Sequence, residues 1–260
     1  MKKLGLALGA GGSRGVAHIG FLKALEEKGI KPDYICGCSM GSVVGAAYAS
    51  GMSVDDMQRA VYKLRLLDLI APSGQRGGLL GTQKMRKLLT KYIGDLDFSQ
   101  LKIPFHCVAT DLCSQSLVEF SQGSVIEAVI ASSSIPVLFH PLDKDGMRLV
   151  DGTVLERVPA AQVKAMGADV VVAVDVLGRK DCSEDKPNVL GVLLEVVDLA
   201  DNYRAKQRKE ENADIIDFWL EPELGNMSQY ELKQVRFAFE QGYALGLRHA
   251  KEIKESLEER

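Results

Sequence analysis

The sequence predicts a three-layer α/β/α sandwich on a mostly parallel central sheet. Two observations carry this. Short apolar runs bounded by turn residues alternate with longer stretches of helical period, the pattern of buried parallel strands covered by helices. The chain has 260 residues, 46% of them hydrophobic and 26% charged, which suits one large α/β domain.

Taken in order, Leu4–Leu8 is an unbroken apolar run and reads as the first strand. A glycine-rich loop and the helix Gly15–Lys28 follow it. Asp33–Cys36 is the second strand. It runs into the helices Gly41–Ser50 and Val54–Leu69. After the helix Gln83–Tyr92 come the strands Phe105–Thr110 and Leu117–Phe120, the helix Val125–Ser132 and the strand Met147–Val150. The helix Ala160–Met166 leads to the strand Val170–Val176. The C-terminal third reads as the helix Val189–Glu211, the strand Ile215–Leu220 and the helix Gln229–Glu258, whose mixed-charge face marks a solvated covering helix. Ala71–Gly81 and Gly178–Asn188 are rich in Gly, Pro and charge. They read as surface loops inside one domain, because the β/α alternation resumes on both sides.

The net charge of −3 argues against nucleic acid as a partner, since phosphate neutralisation needs a basic excess. No apolar run reaches the ~18 residues needed to span a bilayer. The opening Met-Lys-Lys-Leu-Gly-Leu-Ala-Leu has the look of a secretory leader, but it passes straight into the glycine loop without a cleavage site. It is therefore read as a strand, with a cytoplasmic location expected. Five cysteines (36, 38, 107, 113 and 182) suggest reduced thiols. Cys36 and Cys38 are spaced too tightly for a zinc pair, so no metal is expected.

Two loops carry chemistry. Gly9-Ala10-Gly11-Gly12-Ser13-Arg14-Gly15 lets the backbone turn sharply and aim successive N–H groups into a cavity, ahead of a helix N-terminus that favours negative charge. It fits neither the dinucleotide fingerprint nor a P-loop. Gly37-Cys38-Ser39-Met40-Gly41 is Gly-x-Ser-x-Gly between a strand and a helix, the context in which a tight turn presents a nucleophilic serine. The competing reading has Gly37 and Gly41 merely relieving crowding between strand and helix. A later Asp151-Gly152 closes a strand. Alone, that pair is as readily a turn as a catalytic base.

The loop Gly9–Gly15, the elbow Gly37–Gly41 and Asp151-Gly152, in this order and spacing, resemble the three signature blocks of patatin-like phospholipases. Ala131–Pro141 and the stretch from Val158-Pro159 to Asp175 resemble the family too, so the likeness covers about residues 3–176. The resemblance implies a patatin-like fold and a serine acyl hydrolase acting on lipid esters, phospholipid or lysophospholipid. Ser39 would be the nucleophile and Asp151 the general base, with Gly11 and Gly12 supplying the oxyanion N–H groups. Ser13 and Arg14 would hold the loop or meet a head group. Gly15, Gly37, Gly41 and Gly152 are the motif glycines, and no cofactor is implied. A dyad rather than a triad is expected, since only His249 follows Asp151 in the chain and it lies in a charged helix. The chain departs from the family's usual pattern at Thr153, Ala10 and Arg157, with Thr153 expected to narrow the pocket. A thioesterase, a general carboxylesterase and a catalytically silent regulatory module remain open. The run before and within loop 71–81 is expected either to form an apolar lid making transient membrane contact or to pack on the core.

Overall fold

The computed structural model describes residues 2–65, 68, 71–72, 79–178 and 188–259. Most of the lid expected around Leu66–Gly81 and most of the Gly178–Asn188 loop, with Cys182, fall outside them.

The all-buried run Leu4–Leu8 forms β1 at the centre of the sheet. The helices Val16–Glu27 (α1), Met40–Ser50 (α2), Val54–Lys63 (α3), Gln83–Ile93 (α4), Val125–Ser132 (α5), Ala160–Ala165 (α6), Val189–Glu211 (α7) and Val235–Glu258 (α8) follow in chain order. The strands after β1 are Tyr34–Cys38 (β2), Ala71–Pro72 (β3), Leu80–Gly81 (β4), Phe105–Asp111 (β5), Ser116–Phe120 (β6), Leu142–Lys144 (β7), Met147–Asp151 (β8), Val170–Val174 (β9) and Phe218–Leu220 (β10). The main sheet runs β10-β9-β1-β2-β5-β8-β7, with β6 also on β5. Strands β10, β9, β1, β2 and β5 are parallel. Strands β6, β7 and β8 form an antiparallel flank.

The register about β5 positions the site. β6 pairs with Cys107–Asp111 along one edge. β2 pairs with Phe105–Val108 and β8 with Ala109–Asp111, so both occupy the other edge. They run in opposite directions and meet head to head, Cys38 opposite Val108 and Asp151 opposite Ala109. Ser39 and Asp151 are thus brought together by two C-terminal strand ends abutting on adjacent residues of one template strand.

One long helix begins later than its periodicity suggests. α8 starts at Val235 rather than Gln229, because the Gln229 carbonyl accepts a hydrogen bond from Ser13 N–H (2.9 Å) and its amide reaches Asp198 on α7. α3 ends at Lys63, with Leu64 already extended.

Candidate active site

Ser39 sits between β2 and α2 at φ 53°, ψ −121°, a conformation costly for any side chain and typical of strained functional turns. The flanking glycines are compelled by space. A Cβ on Gly37 would lie 2.5 Å from the Gly41 carbonyl oxygen, and one on Gly41 would strike the Leu8 carbonyl. Crowding and presentation of the serine are thus the same fact, since the elbow can be this tight only with glycine on both sides. The turn is pinned further by Ser39 N–H donating to Ser132 Oγ (2.9 Å) and Ser42 Oγ donating to the Ser39 carbonyl (2.6 Å).

Ser39 Oγ donates to Asp151 Oδ2 at 2.6 Å. The other oxygen, Oδ1, accepts from Thr153 N–H (2.9 Å), Thr153 Oγ1 (2.8 Å) and the Cys38 thiol (3.8 Å). Asp151 is fully buried, and burial raises its pKa above the ordinary carboxylate value against the opposing hydrogen bonds from Ser39 and Thr153. Burial and the neighbouring Asp151 push the Cys38 thiol well up, which keeps it a neutral donor. Thr153 was expected to narrow the pocket. Its hydroxyl instead turns onto the carboxylate and helps leave Oδ2 to Ser39. Gly152 lies where a Cβ would meet Cys38 Sγ and the Val108 carbonyl, both at 2.7 Å.

The glycine loop lies beside this pair, with Gly15 against Met40. Gly9, Ala10 and Ser13 N–H donate to Val174, Arg157 and Gln229 carbonyls. Gly11 and Gly12 N–H, the two expected oxyanion donors, make no hydrogen bond among the described residues. Gly12 has φ +50° and is closed in by the Gln229 carbonyl, so no side chain fits there. Arg14 is buried. Its guanidinium donates to the Val176 (2.6 Å), Gly225 (2.9 Å) and Met227 (3.0 Å) carbonyls, the loop-holding arrangement. Ser13 Oγ likewise donates to the Ser228 carbonyl.

The elbow presents Ser39 to a cavity and not to open solvent. The residue is 5% exposed and lines an apolar cavity of about 450 Å³. The walls come mainly from α2, α3, α4 and the segment after α5, with Leu194 of α7 and Gln229 and Tyr230 beyond it, and include Met40, Met52, Met57 and Met85. No motif in the sequence announced this cavity, because its residues read as ordinary helix core. The four histidines are engaged elsewhere. His18 faces the Gly9 carbonyl (2.8 Å), His106 faces Glu119 (2.5 Å), His140 the Pro141 carbonyl (2.6 Å) and His249 Glu252 (3.2 Å). Burial lowers the His18 pKa to about 4, so it is a neutral packing group.

The family model described as patatin-like phospholipase matches residues 6–164. An uncharacterized NTE family protein of Mycobacterium tuberculosis is 36% identical over 192 residues, 72% of this chain and 53% of its own length. The lysophospholipase NTE1 of Coccidioides immitis is 36% identical over 184 residues, 67% of this chain and 12% of its own length. The chain thus spans about half the length of the mycobacterial relative and far less of the fungal one. Among solved structures, VipD from Legionella pneumophila superposes with a TM-score of 0.67 at 16% identity, covering 96% of this chain and 67% of its own. ExoU of Pseudomonas aeruginosa, in its complex with SpcU, gives 0.51 at 14% identity, covering 100% and 53%. Both likenesses concern the fold.

Proposed function

Since the chain belongs to the patatin-like phospholipase family, we propose that it is a serine acyl hydrolase that cleaves lipid carboxylic esters through a Ser39–Asp151 dyad. The observation that carries this is the 2.6 Å contact between Ser39 Oγ and Asp151 Oδ2 beside an apolar cavity of about 450 Å³. Asp151 takes the Ser39 proton as Oγ attacks the ester carbonyl, and its raised pKa makes it a better base than a solvated aspartate. The tetrahedral oxyanion is received by Gly11 and Gly12 N–H, the two loop donors left unpaired among the described residues; each such donor is worth roughly 100- to 1000-fold in rate. Asp151 then returns the proton to the leaving alcohol. Water, deprotonated by Asp151 in turn, attacks the acyl-enzyme and releases the fatty acid and Ser39.

The cavity supports a long acyl chain over a short polar ester. Its methionines are flexible enough to close around a chain that has no fixed shape. Thr153 gives no support to a catalytically silent module, because its hydroxyl helps orient the base. Phospholipids and lysophospholipids are the expected substrates, with thioesters of the same acyl group as the alternative. The reading places the protein in the cytoplasm, with transient contact at a lipid surface. Among the described residues, no helix is long and apolar enough to cross a membrane.

The test is labelling by a fluorophosphonate probe together with turnover of lysophospholipid, phospholipid and acyl-thioester panels. Wild-type should label and hydrolyse a lipid ester. Ser39→Ala should lose both, and Asp151→Asn nearly all turnover, while His249→Ala keeps most. A Ser39→Ala protein that retains turnover refutes the assignment.

A further inference from the structure

Helix α7 is held to the core by one face and bears an apolar stripe on the opposite one. Leu194, Asp201 and Ala205, spaced by seven and four residues, point inward; Leu194 lines the cavity that holds Ser39, and the other two are buried. The opposite face carries Val189, Val192, Leu193, Val196, Leu199 and Tyr203, spaced as one helical stripe. These six are between 47% and 80% exposed. Among the described residues, nothing covers the stripe, and so many large side chains open to water in one row mark a contact surface.

We propose that this outward face of α7 docks on a lipid surface and holds the acyl cavity against it. The proposal rests on the acyl-hydrolase reading for the identity of the occupant, and three features favour lipid over a second copy of the chain. First, the helix that bears the stripe is joined on its other face to the catalytic apparatus. The same helix walls the cavity through Leu194, and Asp198 accepts from the Gln229 amide (2.9 Å) and the Tyr230 hydroxyl (3.1 Å), two further cavity residues. Gln229 in turn receives the Ser13 N–H of the glycine loop. Docking through the outward face would thus seat on lipid the same helix whose inward face walls the Ser39 cavity. Second, the stripe ends as an interfacial helix does. Aliphatic side chains give way to Tyr203, an amphipathic ring, and one turn later to Lys206, which has no ion pair among the described residues and a stem long enough to reach lipid phosphates. Third, the polar residues lie along the flanks, Glu195 on one side and Arg204 on the other, leaving the stripe itself uninterrupted.

The experiment uses the full chain and the combined variant Leu193→Gln, Val196→Gln, Leu199→Gln, whose sites are exposed and whose new residue favours helix. Three measurements are made: sedimentation with vesicles of phosphatidylcholine containing a minor fraction of phosphatidylglycerol, turnover of a soluble nitrophenyl ester, and molar mass in solution without vesicles. Wild-type should sediment with the vesicles, and the variant should bind roughly tenfold or more weakly while keeping its soluble-ester turnover and melting temperature. Equal vesicle binding by both proteins, or no binding by wild-type, overturns the proposal. So does a wild-type dimer that the variant converts to monomer, which would make a second copy the occupant. If the triple variant melts early, Val196→Lys alone is measured in its place, with the same expectations. A wild-type protein that binds vesicles but fails to hydrolyse any ester would refute the enzymatic reading and leave the docking face standing.

Discussion

The two oxygens of Asp151 divide their work. Oδ1 takes donors from Thr153 and Cys38, while Oδ2 is left for Ser39. Removing the Thr153 hydroxyl removes a donor to the anion, so the Asp151 pKa should rise further. A base works only when deprotonated, so the acid limb of kcat/KM for Thr153→Ala should move to higher pH by roughly one unit. A pH–rate profile of both proteins reads this directly, and coincident limbs would dismiss Thr153 as a positioning residue. The same raised pKa has a stability sign. Unfolded, the carboxylate titrates at about 3.9; folded, it titrates higher, so stability falls as pH rises from the unfolded value through the folded one. Asp151→Asn removes the buried charge and should melt at or above the temperature of wild-type at neutral pH while losing turnover, which calorimetry checks. Ser39, Asp151 and the glycines were legible because each occupies a turn whose geometry restricts the residue type. Ser132 and the orientation of Thr153 were not, because a hydroxyl reveals its partner only once the fold brings that partner near.

Strand and helix identity followed from period. The short elements β3, β4 and β7 did not, since two or three residues carry no periodic signal. Nor did the direction of β8. An apolar pentapeptide reads the same in either orientation, and only pairing with β5 decides it. Packing between helices was equally hidden. α1 and α8 approach so closely that a Cβ on Gly242 would strike the Ala17 backbone, and one on Gly20 would strike the Phe239 carbonyl. In an exposed helix, alanine is better than glycine by about 1 kcal/mol. Here the clash is with backbone, which cannot rotate away, and the sign should reverse. Gly242→Ala should therefore lose about 1–3 kcal/mol by separating the two helices. Denaturant midpoints measure it, and a stabilised variant would show that the interface yields more readily than its geometry implies.

At the scale of the molecule, the family match ends at residue 164, but the sheet does not. β9 pairs with β1 over five residues, and β10 follows on β9, so a chain cut after residue 164 would expose the central strand along its whole edge. We expect one cooperative unfolding transition for the whole chain and no soluble fold for the truncated one. The C-terminal third is also joined to the core by buried charge. Arg157 donates to Asp175 (2.7 Å) on one side and to Asp201 of α7 (3.0 Å) on the other. One guanidinium faces two buried carboxylates, with Asp151 adding further negative potential, so Asp201 is left poorly compensated. Burial raises its pKa to about 7 despite Arg157. Glu156 is pushed to about 7 in the same way, its burial only partly offset by Arg208. Both carboxyls titrate near about 4 when unfolded, so the folded state holds their protons more tightly, and stability should fall as pH climbs from about 4 through about 7. Melting temperatures across that range should decline, and Asp201→Asn should flatten the decline. A melting temperature that rises with pH over this window would mean that Arg157 compensates both aspartates, and that α7 is anchored by a settled ion triad and not by a proton.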